Sequence, residues 1–195
     1  MSTWKKTLGL AQAGLVILML GTFKPASAAT SATINVLVTV DLIAITIPVS
    51  SNTWAISGTV TPGSINISSA IAVTNSGNRQ EAYSLSLTFD AAGWTPSDDG
   101  TVDTDKFAMM ALFSGRTVDQ IANTDFVGAP DTVIKDTPNP ASASAYGINA
   151  EGGATKGSAV AASAVRSLYL NFRAPSANTQ SGQQSATVTI TAAAG

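Results

Sequence analysis

Residues 34–42 alternate. Ile34, Val36, Val38, Val40 and Leu42 share one side, with Asn35, Thr39 and Asp41 opposite and Leu37 the exception. A period of two predicts a strand. The phase then slips by one residue, since Ile43, Ile45 and Ile47 carry the apolar side beyond Leu42. Such a slip flips the faces unless a bulge or bend absorbs it, and Pro48 then ends the ladder or marks an edge. One bent strand or two short ones are therefore expected over residues 33–47. A weaker strand with Trp54 and Ile56 follows over 53–60, interrupted by Gly58.

Turn chemistry punctuates what comes next. Thr61-Pro62-Gly63-Ser64 is a turn, because proline presets one φ and glycine accepts a positive one. Residues 65–74 read as a strand with Ile65, Ile67, Ile71 and Val73 inward. Asn75-Ser76-Gly77-Asn78 turns the chain into the clearest strand, 81–90, with Tyr83, Leu85, Leu87 and Phe89 inward. Residues 91–105 form a polar loop. Residues 107–113 are apolar without alternation, which suits a strand buried on both faces. Residues 117–121 suggest a short helical turn, and 126–128 and 132–135 short strands. An irregular insertion spans about 114–164, with one weak strand near Tyr146. Strands return at 167–172 and 185–191. Eight to ten short strands between Gly, Pro, Asn and Ser turns predict an all-β fold, an antiparallel β-sandwich.

The first 28 residues stand apart. Lys5 and Lys6 precede an apolar run ending near Phe23, and Ala26-Ser27-Ala28 supplies the small-x-small pattern of a signal peptidase site. The run is short for a bilayer span, which needs about 20 apolar residues. Cleavage after Ala28 is expected, leaving one domain over 29–195. That places the protein outside the cytosol: in the periplasm, on the surface or released. No membrane association is expected after cleavage.

Composition narrows the function. The full chain carries a net charge of −2. Without Lys5, Lys6 and Lys24, seven basic residues face twelve acidic ones, and the arginines are scattered. A nucleic-acid partner is therefore not expected, because phosphate binding needs a basic face. With no cysteine, stability must come from core area and sheet pairing. With no histidine, Ser-His-Asp catalysis and histidine-ligated metals are excluded. The mature chain shows neither S-x-x-K nor G-x-S-x-G. An enzyme is not expected.

Val73-Thr74-Asn75-Ser76-Gly77-Asn78 followed by Tyr83-Ser84-Leu85-Ser86-Leu87 resembles a hairpin of secreted bacterial immunoglobulin-like modules. Leu170-Asn171-Phe172-Arg173-Ala174-Pro175 and residues 185–191 resemble the last two strands of such modules. The layout of leader, apolar first strand and cysteine-free sandwich is similar to camelysin-type biofilm-fibre subunits. This resemblance implies an immunoglobulin-like sandwich. It also implies a structural or assembly role at the cell surface or matrix, with the protein itself as partner. In fibre subunits of that layout an N-terminal strand completes a neighbour's sheet, the physics of β-augmentation. Ile34, Val36, Val38, Val40, Leu42, Ile45 and Ile47 are the candidate assembly strand. The alternative is that they form the first strand of their own sandwich.

Two other sites compete. Asp98, Asp99, Asp103 and Asp105 could supply oxygens to calcium, although the spacing is not that of an EF-hand; otherwise the loop is a solvated turn and no cofactor is expected. Trp94, beside that loop, could stack on a sugar ring. With residues 94–105 it would make a secreted glycan- or protein-binding module; otherwise it plugs the end of the sandwich.

Overall fold

The computed structural model describes residues 41–56, 60–89, 93–126, 133–141, 145–147 and 156–195. The leader, and Ile34, Val36, Val38 and Val40 of the first strand, lie outside them. The fold is all-β. The described residues form nine strands: β1 (Ile45–Thr46), β2 (Ile65–Ile67), β3 (Ile71–Asn75), β4 (Glu81–Phe89), β5 (Thr95–Pro96), β6 (Lys106–Phe113), β7 (Asn139–Pro140), β8 (Val165–Arg173) and β9 (Ala186–Ala194). The larger sheet runs β1-β3-β8-β6-β5, with β2 also on β8, and the smaller runs β7-β4-β9. No helix among the described residues is long and apolar enough to cross a membrane.

One core joins the sheets. Tyr83, Leu85 and Leu87 of β4 meet Val73, Phe113 and Leu168 of the larger sheet, all buried. The alternation read over 81–90 is realised: the odd positions of β4 are buried as far as Leu87, and the even ones are less so.

β6 explains its own lack of alternation. Phe107, Met109, Ala111 and Phe113 enter the shared core, while Met110 and Leu112 enter a second cluster with Ile121, Phe126, Val133 and Tyr169. Part of the 114–164 insertion thus covers the outer face of the larger sheet. Its polar look in sequence hides these few apolar anchors. The helical turn expected at 117–121 is a 3₁₀ turn, Val118–Gln120, with a capping box between Thr117 and Gln120.

Several elements depart from the sequence reading. Residues 33–47 show regular pairing only at Ile45–Thr46 among the described residues, on β3. Residues 53–56 form no strand. Residues 65–74 split into β2 and β3, because Ser68 interrupts the ladder. Its N–H donates to the Leu170 carbonyl, and its hydroxyl accepts from the Leu170 N–H at 2.9 Å. A side chain there replaces a backbone acceptor and lets the chain step around a bulge. Within the 91–105 loop, Thr95 and Pro96 pair with Lys106 and Phe107 in parallel, so pairing is not wholly antiparallel. Phe126 ends a 3₁₀ turn rather than starting a strand. Val133 and Gly147 form single bridges to β6 rather than strands.

Candidate functional site

β9 is a long edge strand. All nine of its residues pair with β4, from Ala186 opposite Phe89 to Ala194 opposite Glu81. The direction of its other backbone groups follows from β4. Glu81, Tyr83 and Leu87 donate their N–H groups away from β9, to Val160, Gly157 and Lys135. Antiparallel bonding alternates along a strand. The even residues of β4 therefore bond Thr187, Thr189, Thr191 and Ala193. The amides of Val188, Ile190 and Ala192 point to the far edge, where no partner is present among the described residues.

That edge has none of the usual protections. β9 reads Ala-Thr-Val-Thr-Ile-Thr-Ala-Ala-Ala, with no charge and no proline, the residues that blunt exposed edges. Its inner side chains Val188, Ile190 and Ala192 are only half-buried. Beside them lies a groove of about 1000 Å³. Ile71, Met109, Leu168 and Leu170 line it from the larger sheet, and polar side chains such as Asn178, Gln180 and Gln184 also border it.

Within residues 47–56, Ile47 and residues 51–56 also line the groove. Trp54 and Ile56 are half-buried against the core, while Thr53 and Ala55 are exposed. This is the alternation of a strand. Yet no backbone hydrogen bond involves 53–56 among the described residues. Among the described residues the segment is a strap held by its side chains.

The turn over residues 75–81 grips the chain just before the strap. Leu42 N–H donates to Asn78 Oδ1 at 2.8 Å, and its carbonyl accepts from Asn78 N–H. Ala44 N–H donates to Glu81 Oε1 at 2.7 Å, and its carbonyl accepts from the N–H groups of Ser76 and Gly77. Asp41 pairs with Arg79. Gly77 is required sterically, since a Cβ there would collide with the Leu42 carbonyl oxygen and with Glu81 Oε1. Asn75 braces the turn from below, donating to the carbonyls of Arg79 and Val160. Glu81 Oε2 and the Tyr83 hydroxyl, both buried, have no hydrogen-bond partner among the described residues. Burial, with the Glu81 carboxylate adding to it, pushes the Tyr83 phenol up to about 12.

The other candidates are placed as follows. Leu42 is 53% exposed, Ile45 belongs to β1 and Ile47 packs on the core. The four aspartates are not brought together. Asp99 Oδ1 accepts from the Thr101 hydroxyl and N–H and from Ser97, and these bonds hold its carboxyl well below the usual range. Asp105 accepts from the hydroxyl and N–H of Thr179 and from Gln180, which lowers it too. Asp103 accepts from Thr104 N–H, and Asp98 is exposed. No group of three or more acidic side chains suited to a metal occurs among the described residues. Trp94 stacks on Phe172, with ring centroids 6.0 Å apart and planes 19° apart, and its indole N–H donates to Asn178 at 2.9 Å.

Sequence reasoning missed β9 as a site, the strap and the clamping turn. One signal was available: a nine-residue strand without charge or proline.

The chain matches no family model, no curated protein and no solved structure.

Proposed function

We propose that the chain is a non-enzymatic structural protein of the cell surface or matrix. It is exported under residues 1–28, folds as an immunoglobulin-like β-sandwich and polymerises through its N-terminal strand. The observation that carries this reading is the edge of β9, which has no partner among the described residues, beside a groove with apolar side chains on its floor. A strand added there would satisfy the outward amides of Val188, Ile190 and Ala192 and cover their side chains. Residues 34–40, the part of the candidate strand before the clamp, match the need: Ile34, Val36, Val38 and Val40 stand at period two over a length close to that of β9. The clamp anchors the chain from Asp41 onward, so the exchanged part is the segment before it. Donor and acceptor are different surfaces, and a heterologous contact of that kind propagates into open filaments or rings.

Light scattering after size exclusion, with negative-stain imaging, tests the reading on residues 29–195. Oligomers that grow with concentration, and vanish when residues 29–40 are deleted, are expected. A monomer at every concentration contradicts it.

A further inference from the structure

The strap and the groove bear on each other. Trp54 and Ile56 rest on the same core that the groove exposes, in a segment with strand-like alternation and no backbone pairing among the described residues. Across the groove, β9 has the opposite deficit among the described residues: outward backbone groups without a partner and half-buried apolar side chains. A segment held by two or three side chains opens at low free energy, because only contacts and no ladder must be broken. A strand that both pairs with β9 and fills the groove makes contacts the strap does not.

We propose, resting on the assembly reading above, that the strap is a stand-in. In the lone domain, residues 47–56 occupy part of the acceptor groove through Trp54 and Ile56. Residues 34–40 of a second copy displace those two side chains when they pair with β9. The occupant is argued from the chain itself. The described residues begin at Asp41, fixed by the clamp beside Glu81, and Glu81 lies opposite Ala194 at the end of β9. Immediately before that point come Ile34, Val36, Val38 and Val40, four β-branched residues at period two. The strap sets how much of the population is ready to accept a strand. Apparent affinity falls by that fraction, so the strap would hold subunits apart until concentration or a growing end favours exchange.

Trp54 and Trp94 are the two tryptophans of the mature chain, and both line the groove. Mature protein labelled with 5-fluorotryptophan therefore gives two ¹⁹F resonances, assigned with Trp54→Phe. The probe is a synthetic peptide of residues 33–42 with a short lysine tail, and its binding is followed separately by fluorescence anisotropy. On saturation, the Trp54 resonance is expected to move to the position of a solvent-exposed indole. Ile56→Ser is expected to tighten peptide binding roughly five- to tenfold, by releasing the competing segment. Peptide that binds while the Trp54 resonance stays in place overturns the stand-in and leaves the assembly reading intact. Weaker binding by Ile56→Ser overturns it too, because the strap is then part of the acceptor wall. No peptide binding by the wild type removes the β9 groove as acceptor, and the stand-in with it; the oligomers of residues 29–195 then decide separately whether assembly survives by another surface.

Discussion

β6 and β9 are both long, apolar strands without a break, and they end in opposite circumstances. β6 has β8 on one edge; on the other it runs beside β5, and Asp103, Ser97, Ile134 and Tyr146 bond the backbones of Lys106, Phe107, Met109 and Phe113. Seven of its eight residues are buried. β9 has β4 on one edge and no described partner on the other, and none of its nine residues is fully buried. The difference lies in what covers them. An insertion lies over the outer face of β6, whereas among the described residues an unpaired strap and a few polar side chains border the open side of β9. A strand of β6's kind is structure. A strand of β9's kind, free of charge and proline, lacks the features that keep another strand from pairing with an edge.

The largest test of this contrast is at the centre. Phe113→Ala removes a fully buried ring that packs on Tyr83 at 6.0 Å, and a loss of about 3–5 kcal/mol in urea unfolding is expected. Next comes the clamp. Gly77→Ala forces a methyl group against the Leu42 carbonyl, which cannot yield without losing its bond from Asn78; a cost of about 1–3 kcal/mol is expected by the same measurement. On the edge strand, Ile190→Ala should cost only about 1 kcal/mol in the dilute protein, since the side chain is already half in water. A cost as large as that of Phe113→Ala would mean β9 is covered in the single domain.

The smallest effect is one of pH. The folded chain keeps the Tyr83 proton up to about 12, and an unfolded tyrosine releases it near 10. Between those values the unfolded state binds fewer protons, so stability falls as pH rises from about 10 to about 12. Tyr83→Phe should remove that slope and leave neutral stability unchanged or slightly raised, because the hydroxyl has no described partner. An unaltered alkaline slope in the variant would refute the assignment.

The strands that were legible in the sequence are those whose faces differ. β4 could be read residue by residue because one face meets the core and the other does not. β6 could be read only as buried, since both faces are covered and its pattern carries no period. The gap between β2 and β3 was not legible, because a serine that substitutes for a carbonyl looks like any serine. The aspartates of the 98–105 loop suggested a cation site, but the oxygens of Asp99, Asp103 and Asp105 serve nearby hydroxyls and amides. Trp94 stands in a stack of aromatics contributed by β6 and β8, a contact no local pattern encodes. The open edge of β9 depends on what is missing beside it, and one strand's sequence cannot report that. Its lack of charge and proline was the trace that could have raised the question.

Amide hydrogen exchange along β9, read residue by residue by NMR in dilute and in assembled protein, tests the central claim most directly. In dilute protein, Thr187, Thr189 and Thr191 should be protected by β4, while Val188, Ile190 and Ala192 exchange near the rate of exposed amides. In assembled protein those three should become protected as well. Uniform protection of all six in the dilute monomer would contradict the account, because the edge would then already have its strand.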